Sequence, residues 1–305
     1  MASNIQWTDE TWNPIVGCSR ISSGCANCYA AEAAKSPRLQ QFSQYQTVKE
    51  WNGITEFVQS QLLKPLSWRS PKKIFVCSMS DLFHENTPFE WINKVFAVMA
   101  LCPQHTFQVL TKRPERMLEY FTETPNLDTI ISTSRLSMHH VQARFPLPNV
   151  WLGTTCENQA MVDKRVPLLS QVPAVVRFLS CEPLLSPINL SAHLAIEWSE
   201  IAEDWIEAWP GQQCYSQKIQ WVIIGGESGQ NARPCHLDWM RSLVNQCQQA
   251  QIPVFIKQLG SHPINSKPYI DGMTNTHYPL KLKDRKGGNI EEWPDQLRVR
   301  EFPNE

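Results

Sequence analysis

Cys18, Cys25 and Cys28 stand in the stretch Gly17-Cys18-Ser19-Arg20-Ile21-Ser22-Ser23-Gly24-Cys25-Ala26-Asn27-Cys28-Tyr29-Ala30, a C-x6-C-x2-C spacing. The x2 pair lets two thiolates face one metal centre from a single turn, and the glycines ahead of Cys18 and Cys25 permit close backbone approach. Structural zinc takes four ligands, usually as two pairs. Here the local set stops at three and no local histidine completes it, His84 and His236 being distant in the chain. Three thiolates suit a [4Fe–4S] cluster with one iron left open for a small chelating ligand. The competing readings are a zinc knuckle completed from elsewhere and three ordinary cysteines. The other seven cysteines are scattered singly and read as small core hydrophobes.

The elements that must position these thiols are short apolar runs at 73–78, 107–112, 150–155, 175–180, 221–226 and 254–258. Continuous β-branched runs of that length suit strands buried on both faces of a parallel sheet. Helix-patterned stretches lie between them, at 89–101, 115–121 and 237–250, and strand–helix alternation predicts parallel β/α architecture. Each run ends in polar groups: Ser78-Met79-Ser80-Asp81, Thr111-Lys112-Arg113, Cys156-Glu157-Asn158, Cys181-Glu182-Pro183, Gly225-Gly226-Glu227 and Lys257-Gln258. Polar groups at those ends predict a site at the carboxyl mouth of a β/α barrel; an open doubly wound sheet would bind ligand at the same edge. The expected organisation is a barrel over 1–260, with a Trp- and Glu-rich insert at about 191–218. A C-terminal extension over 261–305 packs on it.

The chain has 305 residues, 42% of them hydrophobic, and a net charge of −1. A filled core is expected, and net charge gives no whole-protein attraction for nucleic acid, although a local basic groove is compatible with it. The N-terminus has neither the basic nor the apolar region of a secretory signal, and no run approaches the ~20 apolar residues of a membrane span. The expectation is a soluble, cytoplasmic protein without a membrane partner, in a compartment where ten cysteines do not form a disulfide framework.

Gly24-Cys25-Ala26-Asn27-Cys28-Tyr29-Ala30 resembles the cluster loop of radical SAM enzymes, and the chain as a whole resembles the phage Gp37/Gp68-type proteins, a three-Cys-motif, radical-SAM-like family. The motifs that carry the likeness are Trp12-Asn13-Pro14, Ser80-Asp81-Leu82-Phe83-His84, Leu110-Thr111-Lys112-Arg113-Pro114, Leu152-Gly153-Thr154, Cys181-Glu182-Pro183-Leu184, Gly225-Gly226-Glu227-Ser228-Gly229 and Glu292-Trp293-Pro294. The resemblance implies a partial or full TIM barrel with a [4Fe–4S] cluster on Cys18, Cys25 and Cys28. It also implies S-adenosyl-L-methionine as cofactor, cleaved reductively to start radical chemistry on a substrate the sequence does not identify, nucleoside and nucleic acid among the options. An electron donor such as a flavodoxin or ferredoxin is implied with it, and a dedicated partner protein is compatible. Two departures stand out. The first cysteine gap is longer than the commonest C-x3-C-x2-C, and Gly-Gly-Glu comes at 225–227 rather than after the second strand. The methionyl amine therefore has two candidate partners, Asp81 with Ser80 beside it, and Glu227 with Gly225 and Gly226.

Lys112 directly follows a strand, where a cation faces the mouth and can hold carboxylate or phosphate; the alternative is an ion pair with Glu115 or Glu119. Glu157, Glu182 and Glu227 each end a strand, and suit amine binding or proton transfer, or pairing with Lys112, Arg177 or Lys257. Lys257 sits in an apolar run, where an ammonium needs a partner or a ligand. The expected catalytic set is Lys112, Glu182 and Glu227. The expected cofactor-binding set is Ser80, Asp81, Glu157, Gly225, Gly226 and Lys257. His84 is either a proton donor or structural. The rival functions are a nucleic-acid-associated protein with a structural or redox-sensing metal and no turnover, and a zinc-binding adaptor acting through Trp205 and Trp209.

Overall fold

The computed structural model describes residues 5–123, 145–194, 218–266 and 277–303. Seven strands form one wholly parallel sheet whose spatial order is the chain order: β1 (Glu10–Trp12), β2 (Lys73–Val76), β3 (Thr106–Thr111), β4 (Val150–Thr155), β5 (Val176–Cys181), β6 (Trp221–Gly225) and β7 (Val254–Gln258). Sequential order sends every crossover the same way round, which curls the sheet into a half-barrel. Among the described residues β1 and β7 share no ladder, so the barrel is open between them. The outer edge of β7 is instead met by Val299–Glu301, running antiparallel: the Ile256 amide donates to Val299 O at 2.9 Å and the Glu301 amide to Val254 O at 3.0 Å.

The helices of six residues or more among the described residues are α1 (Tyr29–Ala34), α2 (Phe89–Ala100), α3 (Pro114–Glu123), α4 (Gln159–Ser170) and α5 (Leu237–Gln249). Alternate strand residues, among them Ile74, Val76, Phe107, Val109, Leu152, Leu179, Val222 and Ile256, pack with buried residues of α2, α3, α4 and α5 into the main core. The opposite alternation makes a second, aromatic core on the concave face: Phe75, Trp151, Phe178, Trp221, Ile223 and Phe255, with Trp7. Trp221 is its hub, 5.7 Å from Trp151 and from Phe178 and 5.4 Å from Phe302 between ring centroids. Gly153 makes this possible, because a Cβ there would stand 2.7 Å from the Phe178 ring. The amino-terminal half of the barrel interior is thus a filled floor.

A third, smaller core lies outside the sheet, where Val16, Ala30, Ala31, Ala34, Tyr45, Val48, Trp51, Val58 and Met79 pack together, with Cys18 and Cys28 against them. Of the expected insert, only the helix Ser191–Leu194 and Lys218 fall within the described residues; Trp205 and Trp209 lie outside them. Beyond β7, Pro263–Ser266 pairs with Cys235–His236 and with His277–Pro279. Among the described residues no helix is long and apolar enough to cross a membrane.

Candidate functional site

The cysteine loop leaves β1 and crosses the carboxyl ends of the sheet. Gly17, at φ +92°, starts the crossing: its amide donates to Met79 O at 3.0 Å, and a Cβ would stand 2.2 Å from Ile54 O, so only glycine fits. Further along, the Gly24 amide donates to Glu157 Oε1 at 3.2 Å, and Asn27 Nδ2 donates to Glu227 Oε2 at 3.0 Å and to Asn231 O at 2.8 Å. Arg233 Nη1 donates to Ser23 O at 2.9 Å, and the Tyr29 hydroxyl donates to Ser78 O at 2.8 Å. The loop is therefore tethered to the segments that follow β2, β4 and β6.

A buried guanidinium ties it to β3 as well. Arg113 is 4% exposed. Its Nη1 donates to Asp81 Oδ2 at 3.2 Å and reaches Cys18 Sγ at 3.6 Å, Nη2 donates to Ser19 Oγ at 2.8 Å, and Nε donates to Glu85. Ser19 Oγ also lies 2.9 Å from His84 Nε2 and donates to Glu85 at 3.1 Å. The Asn86 amide donates to His84 Nδ1 at 3.0 Å, which leaves the proton of a neutral ring on Nε2, toward Ser19. Burial and then Arg113 hold His84 below its ordinary value. His84 is a brace for the loop, fully enclosed.

The thiols differ. Burial and the nearby Asp81 push Cys18 up to about 12, against the pull of Arg113. Burial also acts to raise Cys25, but the Lys112 ammonium, the backbone at Ile21 and Ser22 and the Ser22 hydroxyl outweigh it, and Cys25 lies below its ordinary value. Among the described residues no trio of His, Cys, Asp or Glu side chains is gathered as a ready-made metal site. A shared metal would require the three thiols to turn toward a common point. The donor set itself fits a thiolate-bound group: three thiols on one loop, two of them against an apolar wall, with Lys112 and Arg113 beside them to offset thiolate charge.

Every carboxylate expected at the mouth has a cation or donors of its own. Asp81 accepts from Thr111 Oγ1 at 2.6 Å, from the Lys112 and Phe83 amides and from Arg113. Glu157 pairs with Arg165 at 2.9 Å in full burial; burial would raise its carboxyl, but Arg165 and the Ser22 hydroxyl hold it below the ordinary range. Glu227 takes two bonds from the Arg233 guanidinium, at 2.6 and 2.8 Å, and one from the Arg233 amide at 2.8 Å. Glu182 pairs with Lys257 at 2.7 Å and accepts from Gln258 at 3.2 Å, with side chains 17% and 18% exposed. By strand alternation that last pair sits above Phe178 and Phe255 on the concave face. Gly225 leaves it room, since a Cβ there would stand 3.0 Å from the Glu182 carboxyl carbon. Gly226 packs against Leu259 and Gly260 backbone, and Ser80 Oγ donates to Ile15 O at 2.9 Å. Lys112 is half-buried and in no salt bridge among the described residues.

The cysteine loop, Asp81, Lys112, Glu157 and Glu227 are thus brought together, with the Glu182–Lys257 pair across the mouth. The sequence reading missed Arg113 as the central brace, and also Glu85, Arg165, Arg233 and Asn27. Their partners lie 28, 8, 6 and 200 residues away, outside any local pattern.

Fold and site together define an open, parallel β/α half-barrel that carries a three-cysteine loop across its carboxyl mouth. The chain belongs to the family described as "Protein of unknown function (DUF5131)", whose model matches residues 2–292. No curated protein and no solved structure matches it.

Proposed function

We propose that this chain is a radical-SAM-like iron–sulfur enzyme of the phage Gp37/Gp68 type, with a partial TIM barrel of the radical-SAM kind. Cys18, Cys25 and Cys28 hold a [4Fe–4S] cluster, and S-adenosylmethionine binds beside it. The observation that carries this reading is the three-cysteine loop lying across a parallel β/α mouth, tethered to the ends of four strands. When bound, the cluster would supply the one-electron reduction that cleaves the sulfonium C–S bond of S-adenosylmethionine and so opens radical chemistry on the substrate.

The chain's own residues hold, orient and exclude water. Lys112 favours the charged form of Cys25, while Arg113 beside Cys18 offsets part of the burial that pushes that thiol up. The apolar wall behind Cys18 and Cys28 and the aromatic floor keep the site dry. Asp81 and Glu227 already accept from several donors, so each serves a ligand amine only by exchanging a partner. The Glu182–Lys257 pair is less buried and faces inward, and it can exchange its mutual contact for a substrate's polar groups.

Anaerobic reconstitution with iron and sulfide, followed by EPR of the reduced protein, tests the reading. A [4Fe–4S]⁺ signal that shifts with S-adenosylmethionine and is lost in Cys28→Ala supports it. The rival reading is a structural or redox-sensing metal on the same thiols, without turnover. A stable zinc-loaded protein with no cluster signal would establish that reading instead.

A further inference from the structure

We infer that Glu182, Lys257 and Tyr29 form a recognition site for a guanine base. The inference names the substrate class of the enzyme proposed above and rests on that reading for turnover; the binding itself needs neither cluster nor cofactor.

Three of the four carboxylates at the mouth are locked. Asp81, Glu157 and Glu227 each accept hydrogen bonds on both oxygens. Glu182 differs: Lys257 Nζ at 2.7 Å and Gln258 Nε2 at 3.2 Å both donate to its Oε1. Among the described residues nothing donates to Oε2, and Lys257 uses one of its three ammonium protons. The pair therefore presents an anionic acceptor beside a cationic donor, with no net charge. Such an edge matches a neutral group that carries N–H and C=O side by side. Guanine has the fullest version of it: N1–H and the 2-amino group donate to a carboxylate, and O6 accepts from an ammonium next to them. Adenine and cytosine place a ring acceptor at the centre of that edge, and uracil lacks the amino group.

Tyr29 is what makes the ligand a flat ring. It is 58% exposed, the most exposed large apolar side chain among the described residues. Its hydroxyl is nevertheless pinned, donating to Ser78 O at 2.8 Å just beyond β2, so the ring is both held and bare. Two residues earlier, Asn27 ties the loop to Glu227 at 3.0 Å. Glu227 lies two residues past Gly225, the glycine against which Glu182 packs. The ring is thereby set between the ends of β2 and β6, and β6 is the strand between those that carry Glu182 and Lys257. Burial of the hydroxyl end, the Cys28 thiol and the Glu182 carboxylate all raise the Tyr29 phenol, which puts that carboxylate within electrostatic reach of the ring. A fixed aromatic face near a hydrogen-bonding edge suits a heterocycle that stacks on the one and pairs with the other. An amino-acid zwitterion would satisfy the ion pair and leave the ring uncovered.

Isothermal titration calorimetry on the full chain, as purified and without reconstitution, tests the site. Guanosine should bind about tenfold or more tightly than adenosine, cytidine or uridine. Tyr29→Ala should weaken it about tenfold and Tyr29→Phe should not, while Glu182→Gln should remove the preference for guanosine with circular dichroism unchanged. A fluorescein-labelled single-stranded oligonucleotide carrying one guanine separates the two sources of the base. Displacement of the oligonucleotide by an equal concentration of guanosine supports a nucleoside, and its retention supports a strand. Equal affinity for all four nucleosides, no binding of nucleoside or oligonucleotide, or displacement of guanosine by S-adenosylmethionine overturns the site and leaves the cluster test standing. Guanosine binding by a chain that assembles no cluster overturns the proposed chemistry instead, and with it the base's place as substrate.

Discussion

Along β5, Phe178 belongs to the floor and Glu182, four residues on, to the mouth; along β7, Phe255 and Lys257 make the same change within two. The two layers obey different rules. The floor is held by ring contacts that converge on Trp221, and the polar side chain in register with it, Gln108 between Phe75 and Trp151, is buried and donates to Trp7 O at 3.2 Å. At the mouth, carboxylates and cations meet in pairs, with glycines at 225 and 226 where side chains would collide. Area burial stabilises the first layer and pairing keeps the second from destabilising it. The half-barrel can therefore lose mouth chemistry without losing its fold, and the separation is open to test.

The largest expected effect is confined to the mouth. Cys28→Ala should abolish cluster assembly, read as iron per chain and as the EPR signal, with far-UV circular dichroism unchanged. Loss of fold along with the cluster would make the loop structural and erase the distinction between layers. The floor should respond the other way: Trp221→Ala is expected to cost about 3–5 kcal/mol, read as a lower urea midpoint at constant m value. A cost below about 1 kcal/mol would show that the aromatic layer is not the floor that the ring contacts describe.

Between these sits the buried Glu157–Arg165 pair. Arg165→Met leaves a carboxylate buried without its cation and should cost about 3 kcal/mol; Glu157→Gln/Arg165→Met should recover most of it. The pH dependence has a definite sign. Glu157 lies below its ordinary value when folded, so its contribution is present above the unfolded carboxyl value. It is lost as pH falls through the lowered folded value. Acid denaturation of the double variant should accordingly be shallower than that of the native chain; equal slopes would place the acid sensitivity elsewhere.

The floor and the mouth were not equally legible in the sequence. Six of the seven strands follow from apolar runs, because burial on both faces writes itself into residue type. The exception, β1, is three residues long and reads Glu-Thr-Trp; its place is set by the ladder to β2, not by composition. Helix α4 escaped because Pro167 lies inside it and its apolar residues make no clear stripe. Lys257 was readable, since an ammonium in an apolar run needs a partner, and Glu182 is that partner. Arg113 was readable only in part: directly after its strand it can face the mouth or start a solvated helix, and only the fold brings Asp81, Glu85 and Ser19 around it. Strands are local statements, whereas a brace across the mouth is a statement about which strand ends meet.

The smallest effect sharpens the comparison most. At Gly225 the added methyl of Gly225→Ala would stand 3.0 Å from the Glu182 carboxyl carbon and 3.1 Å from its Cγ. Glu182 must then shift by a few tenths of an ångström while Lys257 and Gln258 hold it. The expected cost is about 1 kcal/mol, with weaker binding of S-adenosylmethionine or substrate as the second readout. Glu182→Ala removes the group that the methyl meets, so Gly225→Ala placed on that background should cost almost nothing. A thermodynamic cycle over the two sites should therefore be strongly non-additive. Additive costs would mean that Gly225 is not there to make room for Glu182, and that the boundary between floor and mouth along β6 is set by backbone rather than by the ion pair.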